Sequence, residues 1–210
     1  MIHPPVDHVP PAPRYPLSRA VLLVIGVQAL VGALIGAKWA WLAPPIHGVI
    51  ALTKSGERVH VPLGTEGDHF FVAAVLMLGM VTVSAVVAAA AAWQWRAHRG
   101  PQMVVALTLG SVAAAGAAAG VGAALVRLRY GVLDIAGAPV SPEHKLHYVT
   151  QAPAVFFGHS PAQIAATILL PSAAAALVYA VCAAACVRED LGGYPPQQRE
   201  LAPLLPTVGG

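Results

Sequence analysis

Apolar positions fall in four long runs, at about residues 17–42, 69–95, 103–126 and 161–187, separated by segments that hold nearly all the charge, proline and histidine. Each run exceeds the roughly 20 residues that a helix needs to cross a bilayer core. In lipid the backbone must satisfy its own hydrogen bonds, so helix is close to forced even for a run as rich in Gly and Ala as 103–126. The pattern predicts an all-α integral membrane protein, a bundle of four transmembrane helices.

The small residues within these runs carry the next level of information. In the third run Gly110, Ala114, Ala117 and Val121 fall on one helical stripe, and Gly116 and Gly120 form a G-x-x-x-G on a neighbouring one. In the first run Gly32 and Gly36 make a second such pair, flanked by Gly26, Ala29 and Ala33. Small residues let another helix's backbone approach closely. Gly32, Gly36, Gly110, Ala114, Gly116 and Gly120 are therefore candidate packing or interface positions. At least one glycine pair is expected where another helix passes, in this bundle or in a partner. Trp39 and Trp41 end the first run and fit the aromatic belt of a membrane surface, which makes them interface candidates too. Lys38 can snorkel to that surface. Pro44 and Pro45 then stop the helix.

The segments between the runs predict the rest. In 46–68, two short apolar stretches flank Thr53-Lys54-Ser55-Gly56-Glu57 and read as a small β-hairpin in the first outer loop. An isolated hairpin is marginal in water, so it must rest on another surface. In the second outer loop, 131–160, residues Pro142 to Tyr148 are expected to form a short helix capped by Ser141. Val155, Phe156 and Phe157 are apolar enough to dip into the interface. Ser160 and Pro161 suit the cap and first position of the fourth helix, and Pro171 is expected to kink it. The Pro-rich residues 1–16 and the Gly- and Pro-rich residues 191–210 read as cytoplasmic tails. The first run is too long for the apolar core of a signal peptide and has no convincing cleavage site.

Composition and charge narrow the class. The chain has 210 residues, 57% hydrophobic and 10% charged, and a mean hydropathy of +0.69. Too little polar sequence remains for a separate soluble domain. A net charge of +3, spread along the chain, gives no reason to expect nucleic acid as a partner. The nine Arg against three Lys, and the absence of Asn, are biases of a GC-rich bacterial genome. The short loop from Arg96 to Pro101 carries Arg96 and Arg99 and no acid, which places it in the cytoplasm. With four spans both termini follow it there. The expected location is thus the bacterial inner (plasma) membrane.

Candidate chemistry is sparse. No ionisable side chain lies in the middle of a run, whereas pumps, coupled transporters and voltage sensors need such groups. Gln28 is the strongly polar exception and reads as an interhelical hydrogen-bonding residue. His47, His60, His69, His144, His147 and His159 all map to the outer side. His144 and His147, if helical, would share a face at a spacing compatible with metal, with Glu143, Glu66 or Asp68 as further ligands. No closed ligand motif accompanies them. Cys182 and Cys186 read as small apolar packing residues. No nucleotide-binding loop or nucleophile elbow is present. The expectation is a non-enzyme with no catalytic, cofactor or metal residues.

Two stretches carry a resemblance. Ala37-Lys38-Trp39-Ala40-Trp41-Leu42-Ala43-Pro44-Pro45 leads into the hairpin, and Glu66-Gly67-Asp68-His69-Phe70-Phe71 opens the second run. Within the four-span layout, from Leu17 to Val187, they resemble a family of actinobacterial four-span membrane proteins, the LucB-like accessory subunits of MCE lipid-import complexes. The resemblance transfers no active site. It implies membrane lipids as surroundings, and as partners the transmembrane subunits of a larger lipid-transport complex that holds an ATPase, a permease pair and lipid-conducting MCE subunits. The alternative from another class is a metal- or cofactor-handling membrane protein that uses the outer histidines. A self-standing permease fits least well with uncharged spans.

Overall fold

A computed structural model describes residues 16–188 and Leu191. The elements run α1 (Leu17–Leu42), β1 (Ile46–Leu52), β2 (Arg58–Pro62), α2 (Asp68–Gln94), a short 3-10 turn (Arg96–His98), α3 (Pro101–Tyr130), β3 (Leu146–Gln151) and α4 (Pro161–Ala184). The four helices are long and apolar enough to cross a membrane, and the protein is a four-helix membrane bundle. The tails expected at 1–16 and 191–210 lie outside the described residues except for Pro16 and Leu191.

Helix limits follow local chemistry. Ser160 caps α4 through its side chain, which accepts from the Gln163 backbone N–H at 3.3 Å, while Gln163 reaches back to the Ser160 N–H. This reciprocal box satisfies two orphan donors, and Pro161 sits where a missing N–H costs nothing. α3 runs one turn beyond the apolar stretch, to Tyr130. Arg127 and Arg129 in its last turn suit the negative end of the helix dipole. Gly131, at φ +75°, then ends it with its N–H on the Arg127 carbonyl. At α4 the helix stops at Ala184, a turn short of the expected limit.

The two loops on the sheet side build one structure. β1 pairs antiparallel with β2 and also with β3, giving the order β2-β1-β3. The expected hairpin is present, and β3 completes it as a third strand. The helix expected from Pro142 to Tyr148 does not form, so His144 and His147 share no helical face. Two facts explain the difference. Ser141 closes a turn, accepting the His144 N–H on its side chain and donating its own N–H to the His144 carbonyl. The chain beyond it alternates exposed Leu146, Tyr148 and Thr150 with half-buried His147, Val149 and Gln151. That period of two fits a strand, and the free edge of β1 supplies its partner. The inner face of the sheet is covered by the loop before β3, through Ile50, Ala138 and Val140.

Helices α1 and α3 run parallel and form the tightest seam in the bundle. α4 packs on α2 and α3. Because an even number of alternating spans separates them, the start of α1 and the end of α4 lie at the same end, opposite the sheet.

Candidate functional site

The seam between α1 and α3 is built from side chains too small to hold the backbones apart. A Cβ on Gly32 would overlap the Ala114 carbonyl and sit 2.6 Å from its Cα. One turn on, a Cβ on Gly36 would lie 2.9 Å from the Ala118 Cα. Gly110 faces the Gln28 side chain, and Gly122 gives room to the Trp39 ring. The contact stripe on α3 is therefore Gly110, Ala114, Ala118 and Gly122, all buried. It differs from the expected stripe at Ala117 and Val121, which are only half-buried. Gly116 and Gly120 are exposed, with open space where a Cβ would be, so they take no part in packing within the bundle. The parallel approach of α1 selects the i, i+4 row that begins at Gly110, and the Gly116 row falls on the opposite side.

Gln28 is buried within this seam and accepts a hydrogen bond from the Ser111 hydroxyl at 3.1 Å. It is the interhelical polar contact that its position implies. Its amide nitrogen is enclosed without a partner.

Trp39 is not a surface residue. It is fully buried, and its Nε1–H donates to the Ala73 carbonyl on α2 at 2.8 Å. Its ring packs with Met77, Val81, Ala118 and Val155 in the core beneath the sheet. The indole N–H, polar enough for a membrane surface, is satisfied here by a helix backbone carbonyl instead. Trp41, two residues on, is 76% exposed, as a place in the aromatic belt would require.

On the sheet side, Glu66 ties the first loop to the start of α2. Its Oε2 accepts from the His47 backbone N–H at 3.0 Å and lies 3.2 Å from the His47 Nδ1. The His69 Nδ1 is 3.0 Å from the same oxygen and 2.8 Å from the Pro45 carbonyl. A carbonyl only accepts, so the His69 Nδ1 carries its proton and donates. The His47 backbone N–H, with lesser contributions from the two rings, holds the Glu66 carboxyl below its ordinary range. Glu66 and His69 are three residues apart, but His47 lies 19 residues before Glu66, and local pattern does not show that it joins them. Among the described residues no group of three or more His, Cys, Asp or Glu is arranged to hold a metal ion. His60 points to the inner side of the sheet, where Gly48, diagonal to it on β1, leaves space for its ring.

At the other end, Tyr179 is buried and its hydroxyl accepts from the Gly100 N–H at 3.1 Å. Arg99 stacks over Trp93, 4.3 Å from the ring centroid, and donates to the Trp93 and Leu191 carbonyls. The basic loop is thereby fixed to the ends of α2 and α4. Cys182 and Cys186 are half-buried and unpaired to each other.

The chain is similar to proteins of several mycobacteria. An uncharacterized protein of Mycobacterium tuberculosis is 56% identical over 173 residues, 82% of this chain and 89% of the relative. One of Mycobacterium bovis matches to the same extent. One of Mycobacterium leprae is 55% identical over 178 residues, 85% of this chain and 90% of the relative. No solved structure matches. Residues 28–193 match the family described as "Protein of unknown function (DUF2567)", from within α1 to beyond α4, and the chain belongs to that family.

Proposed function

We propose that the chain is a non-enzymatic accessory subunit of a cell-envelope membrane complex, with an MCE-type lipid importer as the favoured system. One observation carries the subunit reading: the outer face of the sheet bears an apolar, uncovered patch beside its polar His47–Thr150 row. Register puts Val61, Val49 and Tyr148 in one row across the strands, and Val59, Ala51 and Leu146 in the next. Tyr148 is 69% and Leu146 57% exposed, and Val59 and Val61 are exposed beside them. An antiparallel sheet with one packed face ordinarily turns polar residues outward. An apolar face beyond the ends of the helices is the kind of surface that a protein partner covers. The open Gly116 and Gly120 row on α3 supplies a second surface, suited to close approach of a partner's transmembrane helix.

The choice of a lipid importer rests on the resemblance in the first loop and the start of α2. A metal- or cofactor-handling role would need three or more ligands arranged around one point, and no such group is found among the described residues. Purification from native membranes, followed by mass spectrometry of co-purifying proteins, tests both levels. Recovery of an ATPase, a permease and MCE subunits in constant proportion is the expected result. Recovery of a different constant set would overturn the lipid-import reading, and purification of the chain alone would overturn the subunit reading.

A further inference from the structure

A cleft of about 670 Å³ opens where α2 begins, between its first turns and the loop that joins β3 to α4. That volume lies within the range of small-molecule sites, about 300–1,000 Å³. Its lining is divided by chemistry. Asp68, Gln151 and His159 supply polar groups, while Phe71, Phe156 and Phe157 supply an aromatic wall. Phe71 and Phe157 meet edge to face, with ring centroids 5.6 Å apart, yet stay 65% and 39% exposed. Phe156 and Val155 behind them are anchored in the Trp39 core, so the wall rests on a rigid base. α2 turns apolar at Phe70 and Phe71, so the cleft sits at the level where the bilayer begins.

We infer that this cleft binds a membrane lipid of the sheet-side leaflet whose head group is uncharged and bears hydroxyls, with its acyl chain leaving along Phe71 and Phe157. Three features select this class. Among the described residues the cleft is lined by one carboxylate and by no Lys or Arg, which disfavours a phosphate or carboxylate head group. Gln151 lines the cleft, and its Oε1 is enclosed without a hydrogen-bond partner within the chain. A hydroxyl both donates and accepts, so it can serve the Gln151 amide in either orientation as well as Asp68 and His159. The exposed phenyl rings supply the apolar contact that an acyl chain requires. The lining residues that select this class all belong to this chain, so the assignment is independent of which complex the chain serves.

The test uses the purified full chain, without partners, in phosphatidylcholine nanodiscs. Two photoreactive probes with the same diazirine-bearing acyl chain are compared, a monoacylglycerol and a lysophosphatidate, and labelled peptides are mapped by mass spectrometry. The monoacylglycerol is expected to label peptides that hold Phe71 and Phe157 saturably, at least five-fold more than the lysophosphatidate does. Ala154→Trp, which fills the cleft, is expected to reduce that labelling at least five-fold with the melting temperature unchanged. If Ala154→Trp does not accumulate, Phe71→Ala with Phe157→Ala serves instead, since neither ring is buried in the core. Equal labelling by the two probes would overturn the head-group assignment. Labelling that is insensitive to these variants, or spread evenly over lipid-facing positions such as Leu30 and Val83, would overturn the site.

Discussion

Gly32 on α1 lies directly against the backbone of Ala114 on α3, closely enough that no side chain larger than hydrogen fits between them. The same relation recurs one turn on between Gly36 and Ala118. Lipid gives no hydrophobic drive for helix association, so this contact must hold the pair together by van der Waals packing over its length. Gly32→Leu with Gly36→Leu is expected to cost about 1–3 kcal/mol per site or more, since the obstacle is backbone. The variant should be lost from the membrane. Gly116→Leu with Gly120→Leu should accumulate normally but recover less partner. Normal accumulation of the Gly32 and Gly36 variant would show that the seam does not sustain the bundle.

Trp39 and Trp41 separate structural from interfacial tryptophan within three residues. Trp39→Phe removes the hydrogen bond to Ala73, worth about 0.5–1.5 kcal/mol, and leaves space where the second ring stood. A loss of roughly 2 kcal/mol in total is expected from the bond and the unfilled volume together. Trp41→Phe should change stability by less than about 0.5 kcal/mol, as for exposed positions generally. Reversible unfolding in detergent compares the two, and equal effects would contradict the buried position of Trp39.

Glu66 predicts a pH dependence with a definite sign. Its carboxyl is held below the ordinary value, about 4.3 in unstructured peptides. A depressed carboxyl binds more protons in the unfolded chain, so its contribution is complete above that value. It is lost as pH falls through the lower value of the folded state. Glu66→Gln should therefore lower the melting temperature at pH 7, where the carboxyl is ionised in both states. The gap to the unsubstituted protein should close as pH drops below about 4. A gap that persists unchanged at pH 3 would assign the effect to shape and not to charge.

The sheet face predicts which exposed residues matter. Val61→Asp with Tyr148→Asp places charge on exposed positions outside the helices. Stability should stay within about 0.5 kcal/mol, as at exposed sites, while recovery of partners from native membranes falls at least five-fold. Unchanged recovery would remove the sheet face from the interface.

Orientation is tested directly. In a background of Cys182→Ala and Cys186→Ala, single cysteines at Ser55 and Ala97 occupy exposed positions at opposite ends of the bundle. An impermeant thiol reagent should label Ser55→Cys in intact cells and Ala97→Cys only after permeabilisation. The reverse would place the termini outside.

The number and approximate limits of the helices were determined by the sequence alone, because in a bilayer the backbone leaves an apolar run of this length one solution. So were the Ser160 cap, the β1–β2 hairpin and the polar role of Gln28. All of these depend on residues close in the chain or on the solvent around it. The rest was decided by tertiary structure. The row of small residues on α3 that meets α1 depends on the rotation of one helix about the other, and α3 offers small residues on several faces. Hence Gly110 and Ala114 lie in the seam with Ala118 and Gly122, while Gly116 and Gly120 stand open. Trp39 turns inward because Gly122 and Ala118 on α3 leave room for its ring and the Ala73 carbonyl on α2 accepts a hydrogen bond from its N–H. β3 forms because β1, nearly a hundred residues earlier, offers a free edge. Glu66, His47 and His69 meet because the sheet folds back onto the start of α2. Each is a contact between segments far apart in the chain, which local pattern and periodicity do not encode.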